Sequence, residues 1–166
     1  MSGSYDLFDV DKLTVGAVGE PGHRLFLLQA RHAGQVVTLK VEKAQVAALA
    51  TYLANLLEDL PRPAELPEDL ELEEPAEPEW VVGTLGVSYD ATVDRLLLVA
   101  SEAVGDEDDE GAEARFAVTR EQVAALAIRG TRLVEAGRPP CPLCGYPLDA
   151  SGHACPRTNG HRPPTL

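Results

Sequence analysis

One internal repeat constrains this chain more than any other feature, because two copies of a segment are expected to form the same structural unit. The hexapeptide QVAALA at 45–50 recurs unchanged at 122–127. Two further blocks match upstream in the same order: RLFLLQA (24–30) with RLLLVAS (95–101), and VGAVG (15–19) with VGTLG (82–86). The offset grows from 67 to 71 to 77 residues, which puts the insertions into turns, where extra chain costs little free energy. The pattern predicts a duplication.

Each copy is predicted to form three strands followed by a helix. In the first copy the strands cover 13–18, 24–30 and 36–41, and the last of these alternates apolar and polar residues as a half-buried strand does. The helix begins near Lys43 and ends before Pro61. Its apolar residues recur at three- and four-residue steps: Val46, Leu49, Ala50, Leu53, Leu56 and Leu57.

The second copy repeats this order. Trp80 opens its first strand, and Thr119 and Gln122 have the spacing of a capping box at the start of its helix. The apolar stripe of this helix is formed by Val123, Leu126, Ala127, Leu133 and Val134. Because one three-stranded sheet with one helix leaves an apolar face exposed, we expect the two copies to cover each other.

The predicted fold class is therefore α+β, with two tandem β-β-β-α repeats packed by pseudo-two-fold symmetry. Two arrangements stay open: one continuous six-stranded antiparallel sheet with both helices on one face, or two small layers face to face. The chain divides into a first repeat, an acidic proline-rich linker, a second repeat and a cysteine-bearing tail: 1–60, 61–79, 80–136 and 137–166.

Charge is concentrated in two short runs. The chain has 14 basic and 27 acidic residues, a formal net charge of −13, which disfavours binding to nucleic acid or to an anionic membrane. Most of the excess lies in 61–79 and 101–114. Proline and like charges oppose packing, so we expect a solvated linker and a solvated loop there.

No stretch of the sequence has the pattern of a membrane span or a secretory signal. The longest core-like apolar run, 96–100, is far shorter than a bilayer requires. The opening residues MSGSYDLFDVDK lack both a basic and an apolar region. We expect a cytoplasmic protein.

All three cysteines lie near the C-terminus in a metal-ligand pattern. Cys141 and Cys144 form a C-x-x-C turn, and Cys155 supplies a third thiolate. The fourth ligand is His153 or His161, and we favour His153 because Gly152 and Pro156 enclose it with Cys155 in one compact turn. Three thiolates and an imidazole make a closed zinc shell, so we predict a small structural zinc knuckle.

Sequence motifs for other chemistry are missing: there is no nucleophile elbow, Walker loop or H-E-x-x-H. Arg24, Gln29 and Arg31 are candidates for binding an anion at a sheet edge, and Arg95 occupies the position in the second repeat that Arg24 has in the first. Surface salt bridges are the alternative role for these arginines.

Three segments together resemble a known family: FDVDKLTVGAVGEPGHRLFLLQAR, LKVEKAQVAALA and GRPPCPLCGYPLDASGHACPRTNGHR. The chain resembles, over almost its whole length, an uncharacterised actinobacterial family catalogued as domain of unknown function 3090. The C-terminal signature of that family has a histidine two residues before its third cysteine, which supports His153. The resemblance implies a cytoplasmic actinobacterial protein and implies no activity.

These observations favour a zinc-binding, non-catalytic adaptor or regulator with a protein partner, acting as a monomer or a homodimer. The alternative is an enzyme or a binder of small anions, with its site between the two repeats. We further expect the zinc knuckle to dock on the repeats through Leu143, Tyr146 and Leu148, because so short a segment has too little apolar surface to fold alone.

Overall fold

The computed structural model describes residues 3–20, 22–106 and 110–136. Over these residues the fold is α+β, which confirms the predicted class. Its elements, in chain order, are β1 (Tyr5–Leu7), β2 (Lys12–Val18), β3 (Leu25–His32), β4 (Gln35–Val41), α1 (Lys43–Glu58), β5 (Val82–Asp90), β6 (Arg95–Glu102), β7 (Glu113–Val118) and α2 (Arg120–Ala136).

The strands form two sheets. One has the order β2-β3-β4 and is antiparallel throughout. The other has the order β1-β7-β6-β5, in which β1 is parallel to β7 and the remaining neighbours are antiparallel. A continuous six-stranded antiparallel sheet is therefore wrong, and β1 is a strand that the sequence did not predict.

The two sheets meet where the chain passes from one to the other. The Lys40 N–H donates to the Trp80 carbonyl at 3.0 Å, while the Val81 carbonyl accepts from the Ala103 N–H at 2.8 Å. The chain thus leaves β4 just before β5 begins to pair with β6. At the other side, the chain runs beside β7 as β1 and then beside β3 as β2. β1 of the first half therefore joins the sheet formed by β5, β6 and β7, and the two sheets share one core.

The core lies between the sheets and the two helices. The helices pack against each other, α2 also contacts β2 and β6, and α1 contacts β5. Gly130 makes the helix crossing close, since a Cβ there would be 3.4 Å from Val46 and 3.5 Å from Ala50. The largest fully buried apolar side chains include Phe116, Leu13, Leu27, Leu28, Leu39, Leu53, Leu96, Leu98 and Leu126.

Both helices begin with reciprocal side-chain caps. At α2, Thr119 and Gln122 form the predicted capping box: Gln122 N–H donates to Thr119 Oγ1 at 3.0 Å, and Thr119 N–H donates to Gln122 Oε1 at 2.9 Å. At α1, the Glu42 N–H donates to Gln45 Oε1 at 2.8 Å. These bonds satisfy backbone donors that a helix start leaves without partners.

Within the described residues, neither helix combines the length and the apolar character that crossing a bilayer would require.

Candidate functional site

The acidic segment 61–79, which we call the strap, crosses the outer face of the three-stranded sheet. The Thr14 hydroxyl donates to the Leu70 carbonyl at 2.5 Å. Leu72 sits so close to β2 that a Cβ on Gly16 would come within 2.6 Å of its side chain. The expectation of a solvated linker is therefore wrong for the middle of this segment, because strand side chains bind its backbone.

Glu73 makes the densest set of contacts in the strap. Its N–H donates to Gln29 Oε1 at 2.7 Å, and its carbonyl accepts from Gln29 Nε2 at 3.1 Å. Its carboxylate pairs with Arg31 and, at 3.3 Å, with Lys12, which is only 7% exposed. Gln29 Nε2 also donates to Thr38 Oγ1 at 3.0 Å. The amide of Gln29 thus binds the strap much as a neighbouring strand would.

The four candidate anion-binding residues are not gathered into one site. Gln29 and Arg31 lie together, but both bind Glu73, so the chain itself supplies the anion for Arg31. Arg24 precedes β3 at the end opposite to Arg31, about 23 Å away at the usual rise per strand residue. Arg95 begins β6 in the other sheet and donates to the Asp94 carbonyl at 3.0 Å.

A second polar cluster joins the start of α2 to the β5–β6 turn. Arg120 binds Asp94 through two hydrogen bonds, Nε to Oδ1 at 3.0 Å and Nη2 to Oδ2 at 3.1 Å, and Tyr89 donates to Oδ1 at 2.8 Å. The hydrogen bonds from Arg120, and then that from Tyr89, lower the pKa of Asp94. The bond to Asp94 raises the pKa of Tyr89. Arg120 also donates to the carbonyls of Pro61 and Arg62, so this cluster anchors the strap.

One opening lies between α1 and the unpaired edge of β5, and we call it the α1–β5 groove. Its volume is about 570 Å³. Ala48, Leu49 and Tyr52 line the helix side, and 83–87 line the strand side. Tyr52 is 53% exposed. Gln45 closes one end, since its Nε2 donates to the Val82 and Gly83 carbonyls at 3.1 and 3.2 Å.

The outer edge of β5 presents backbone groups into this opening. The Glu102 N–H donates to the Ala112 carbonyl on the β7 side, and the Ala103 N–H donates to the Val81 carbonyl on the β5 side. Backbone direction alternates along a strand, so Ser101, Val99 and Leu97 face β5, and their partners Thr84, Gly86 and Ser88 face β6. The backbone N–H and C=O groups of Leu85, Val87 and Tyr89 therefore point away from β6, toward the open edge. In the part of the chain that the structure describes, no strand pairs with this edge.

The corresponding edge of the other sheet is covered. β2 is one terminal strand of that sheet, and α2 packs along it. β4 is the other, and its edge pairs with the chain at 79–81. Arg129 Nε donates to the Val15 carbonyl at 2.6 Å, which occupies an edge acceptor directly. A helix side chain binds edge carbonyls on both strands, Arg129 on β2 and Gln45 on β5. The difference is that α2 packs along β2, whereas α1 leaves a groove beside 84–87 of β5.

Two other openings have comparable volumes. One, about 590 Å³, lies between the strap and α2. The other, about 560 Å³, lies on the outer face of the four-stranded sheet and includes Phe8, Val93 and Arg95. The first is lined by the strap and α2 and includes no strand residue, whereas the second includes Ser88 and Asp90 at the end of β5.

Comparison with known proteins identifies the family. Residues 5–155 match the model of a family described as "Protein of unknown function (DUF3090)". The chain belongs to the DUF3090 family. Neither the curated proteins nor the solved structures contain a match.

The DUF3090 match extends over the cysteine cluster. It ends at Cys155 and so includes Cys141, Cys144 and His153 but not His161. All four predicted metal ligands lie outside the described residues. Within residues 3–20, 22–106 and 110–136, no group of three or more His, Cys, Asp or Glu side chains is arranged to hold a metal ion.

The α1–β5 groove and the strap contacts were both missed from the sequence. A signal for the strap was present in β3, where LFLLQA runs without polar alternation because both faces of that strand are covered. In β6 the burial alternates, which is typical of a strand with one covered face. No comparable sequence signal marks the open edge of β5.

Proposed function

We propose that this protein is a non-catalytic adaptor that binds an extended segment of a partner protein by adding it as a strand to β5. The observation that carries the proposal is the unpaired outer edge of β5 beside an apolar groove. Exposed strand edges are templates for pairing with another chain. Strand addition gives affinity through backbone hydrogen bonds and specificity through pockets for alternate side chains.

The groove lining indicates what kind of segment would fit. Gln45, Ala48, Leu49 and Tyr52 on the helix side and 83–87 on the strand side include no charged side chain. Alternate apolar residues of a partner strand would therefore face Leu49 and Tyr52. The net charge of −13 favours basic residues in the flanks of that segment, because long-range attraction speeds encounter.

Selection from a library of random peptides tests this function. We expect wild-type protein to select peptides with alternating apolar residues, and Tyr52→Asp and Val87→Pro to lose at least tenfold in affinity for them. Proline at 87 removes an outward N–H, whereas aspartate at 52 alters a side chain that is mostly exposed. Val93→Asp, at a similarly exposed residue in a different opening, is the matched control. Undiminished binding by Tyr52→Asp, or selection of no peptide, would contradict the proposal.

The duplication is proposed as the origin of this architecture. Apart from β1, both halves contain three strands and a helix in the same order. Gln45 donates to the Val82 and Gly83 carbonyls, and Gln122 donates to the Val10 carbonyl at 2.7 Å. Each glutamine therefore reaches from its helix start to the chain near the first strand of the other half. This reciprocal contact supports a pseudo-two-fold relation between 1–60 and 80–136.

The second proposed property is a structural zinc site formed by Cys141, Cys144, His153 and Cys155. Three thiolates with one imidazole suit tetrahedral Zn²⁺. The reducing cytoplasm that we propose as its location would keep these thiols available. We expect about one zinc per chain, lost in Cys144→Ser and in His153→Ala and retained in His161→Ala. Metal loss only in the His161 variant would reverse the choice of histidine, and zinc-free preparations would refute the site.

A further inference from the structure

The opening between the strap and α2, which we call the strap groove, has an apolar floor. Leu66 and Leu70 of the strap face Ile128 and Leu133 of α2 across about 590 Å³. Ile128 is 44% exposed. An isoleucine left in a concave opening with leucines on both sides offers apolar surface that a further segment can bury.

The position of the strap groove indicates which segment of the chain would occupy it. Ala136, the last described residue of α2, is part of its lining. The thirty residues that follow, 137–166, therefore start at the groove itself. Attachment at the rim gives this segment a high effective concentration there, which no separate molecule would have.

The strap and the segment 137–166 have opposite charge. The strap has eight acidic residues and one base, whereas 137–166 has three arginines and one aspartate. Asp69 and Glu73 already pair with Lys12. Glu68 and Glu71 lie exposed on the strap side of the groove, where they would attract arginines of 137–166, while Arg129 and Arg132 line the α2 side.

We propose that the segment 137–166 docks in the strap groove, with Leu143, Tyr146 and Leu148 against Ile128 and Leu133. This inference rests on the proposed zinc site, since metal binding gives so short a segment its fixed shape. Docking would make the segment part of the folded body of the protein. The strap would then contact the three-stranded sheet on one side and the docked segment on the other.

Ile128 is the only isoleucine in the chain, so its δ1 methyl gives one unambiguous NMR signal from the groove. We expect a nuclear Overhauser effect between the Ile128 δ1 methyl and the Tyr146 ring in the full-length protein. Removal of zinc by a chelator should shift the methyl signal and abolish that effect. Trp80, the only tryptophan, donates from Nε1 to the Gly3 carbonyl at 2.8 Å and reports whether the body stays folded.

Tyr146→Asp should place the Ile128 methyl at its metal-free position while zinc content stays near one per chain. Tyr52→Asp, in the α1–β5 groove, is the matched control and should leave that signal unchanged. Absence of the Ile128–Tyr146 effect overturns docking whether or not zinc is bound. Zinc content is measured separately, so failure of the metal site is distinguished from failure of docking.

Discussion

At the level of single side chains, Glu73 joins the strap to two strands through both its backbone and its carboxylate. Gln29 binds its peptide groups, and Lys12 and Arg31 bind its carboxylate. The sequence predicted Gln29 and Arg31 as candidates for binding an anion at a sheet edge, and the structure places Glu73 of the same chain against both. The sequence could not identify that partner, because Glu73 lies 44 residues from Gln29 and within a run of similar acidic residues.

Glu73→Gln should lower the free energy of unfolding by about 2 kcal/mol, because it leaves the buried ammonium of Lys12 with only Asp69. Urea denaturation followed by Trp80 fluorescence measures this. The control is Glu71→Gln, an exposed strap carboxylate, which should change stability by less than about 0.5 kcal/mol. Equal effects of the two substitutions would contradict the role assigned to Glu73.

A second prediction for a single side chain is that Asp94 makes the stability of the protein depend on pH. Hydrogen bonds from Arg120 place its folded pKa below the unfolded value, so its contribution is complete above the unfolded pKa and disappears as pH falls through the folded pKa. The stability difference between wild type and Asp94→Asn should therefore be present at neutral pH and shrink in acid. Asp9→Asn serves as the control. A difference that grows on acidification would contradict the assignment.

At the level of elements, hydrophobic periodicity predicted the longer strands and the helices. The three strands and the helix of the first half lie close to their predicted ranges, and α1 ends before Pro61 as expected. The second half has the predicted order of three strands and a helix. β1 was missed because three residues carry too little periodicity, and its stability comes from parallel pairing with β7. The strap was misjudged because proline and acidic residues reveal nothing about which side chains bind the backbone.

Packing of the strap on β2 is testable at Gly16. Gly16→Ala would bring a Cβ within 2.6 Å of Leu72, so we expect a loss of about 1–2 kcal/mol in unfolding free energy. Adding Leu72→Ala should cost less in this background than in wild type, since the clash is relieved. Gly86→Ala, at a strand glycine with nothing within 4 Å, is the control. Additive effects of the two substitutions would show that Leu72 does not pack there.

At the level of the whole molecule, two sheets and two helices share one core, but the faces and edges of the two sheets are covered by different segments. The strap covers the outer face of one sheet, and α2 covers the edge of β2. The edge of β5 remains accessible beside α1. This asymmetry between similar halves could not be predicted from the sequence, because the shared motif QVAALA specifies the helices and not what covers the neighbouring strands.

Amide hydrogen exchange of β5 tests the central proposal most directly. In the free protein, Gly86 and Ser88 should exchange slowly and Leu85 and Val87 quickly, because only the first pair faces β6. A bound peptide from the selected set should slow exchange at Leu85 and Val87 by at least tenfold and leave Gly86 and Ser88 unchanged. Unaltered exchange at Leu85 and Val87 with peptide bound would contradict strand addition at β5.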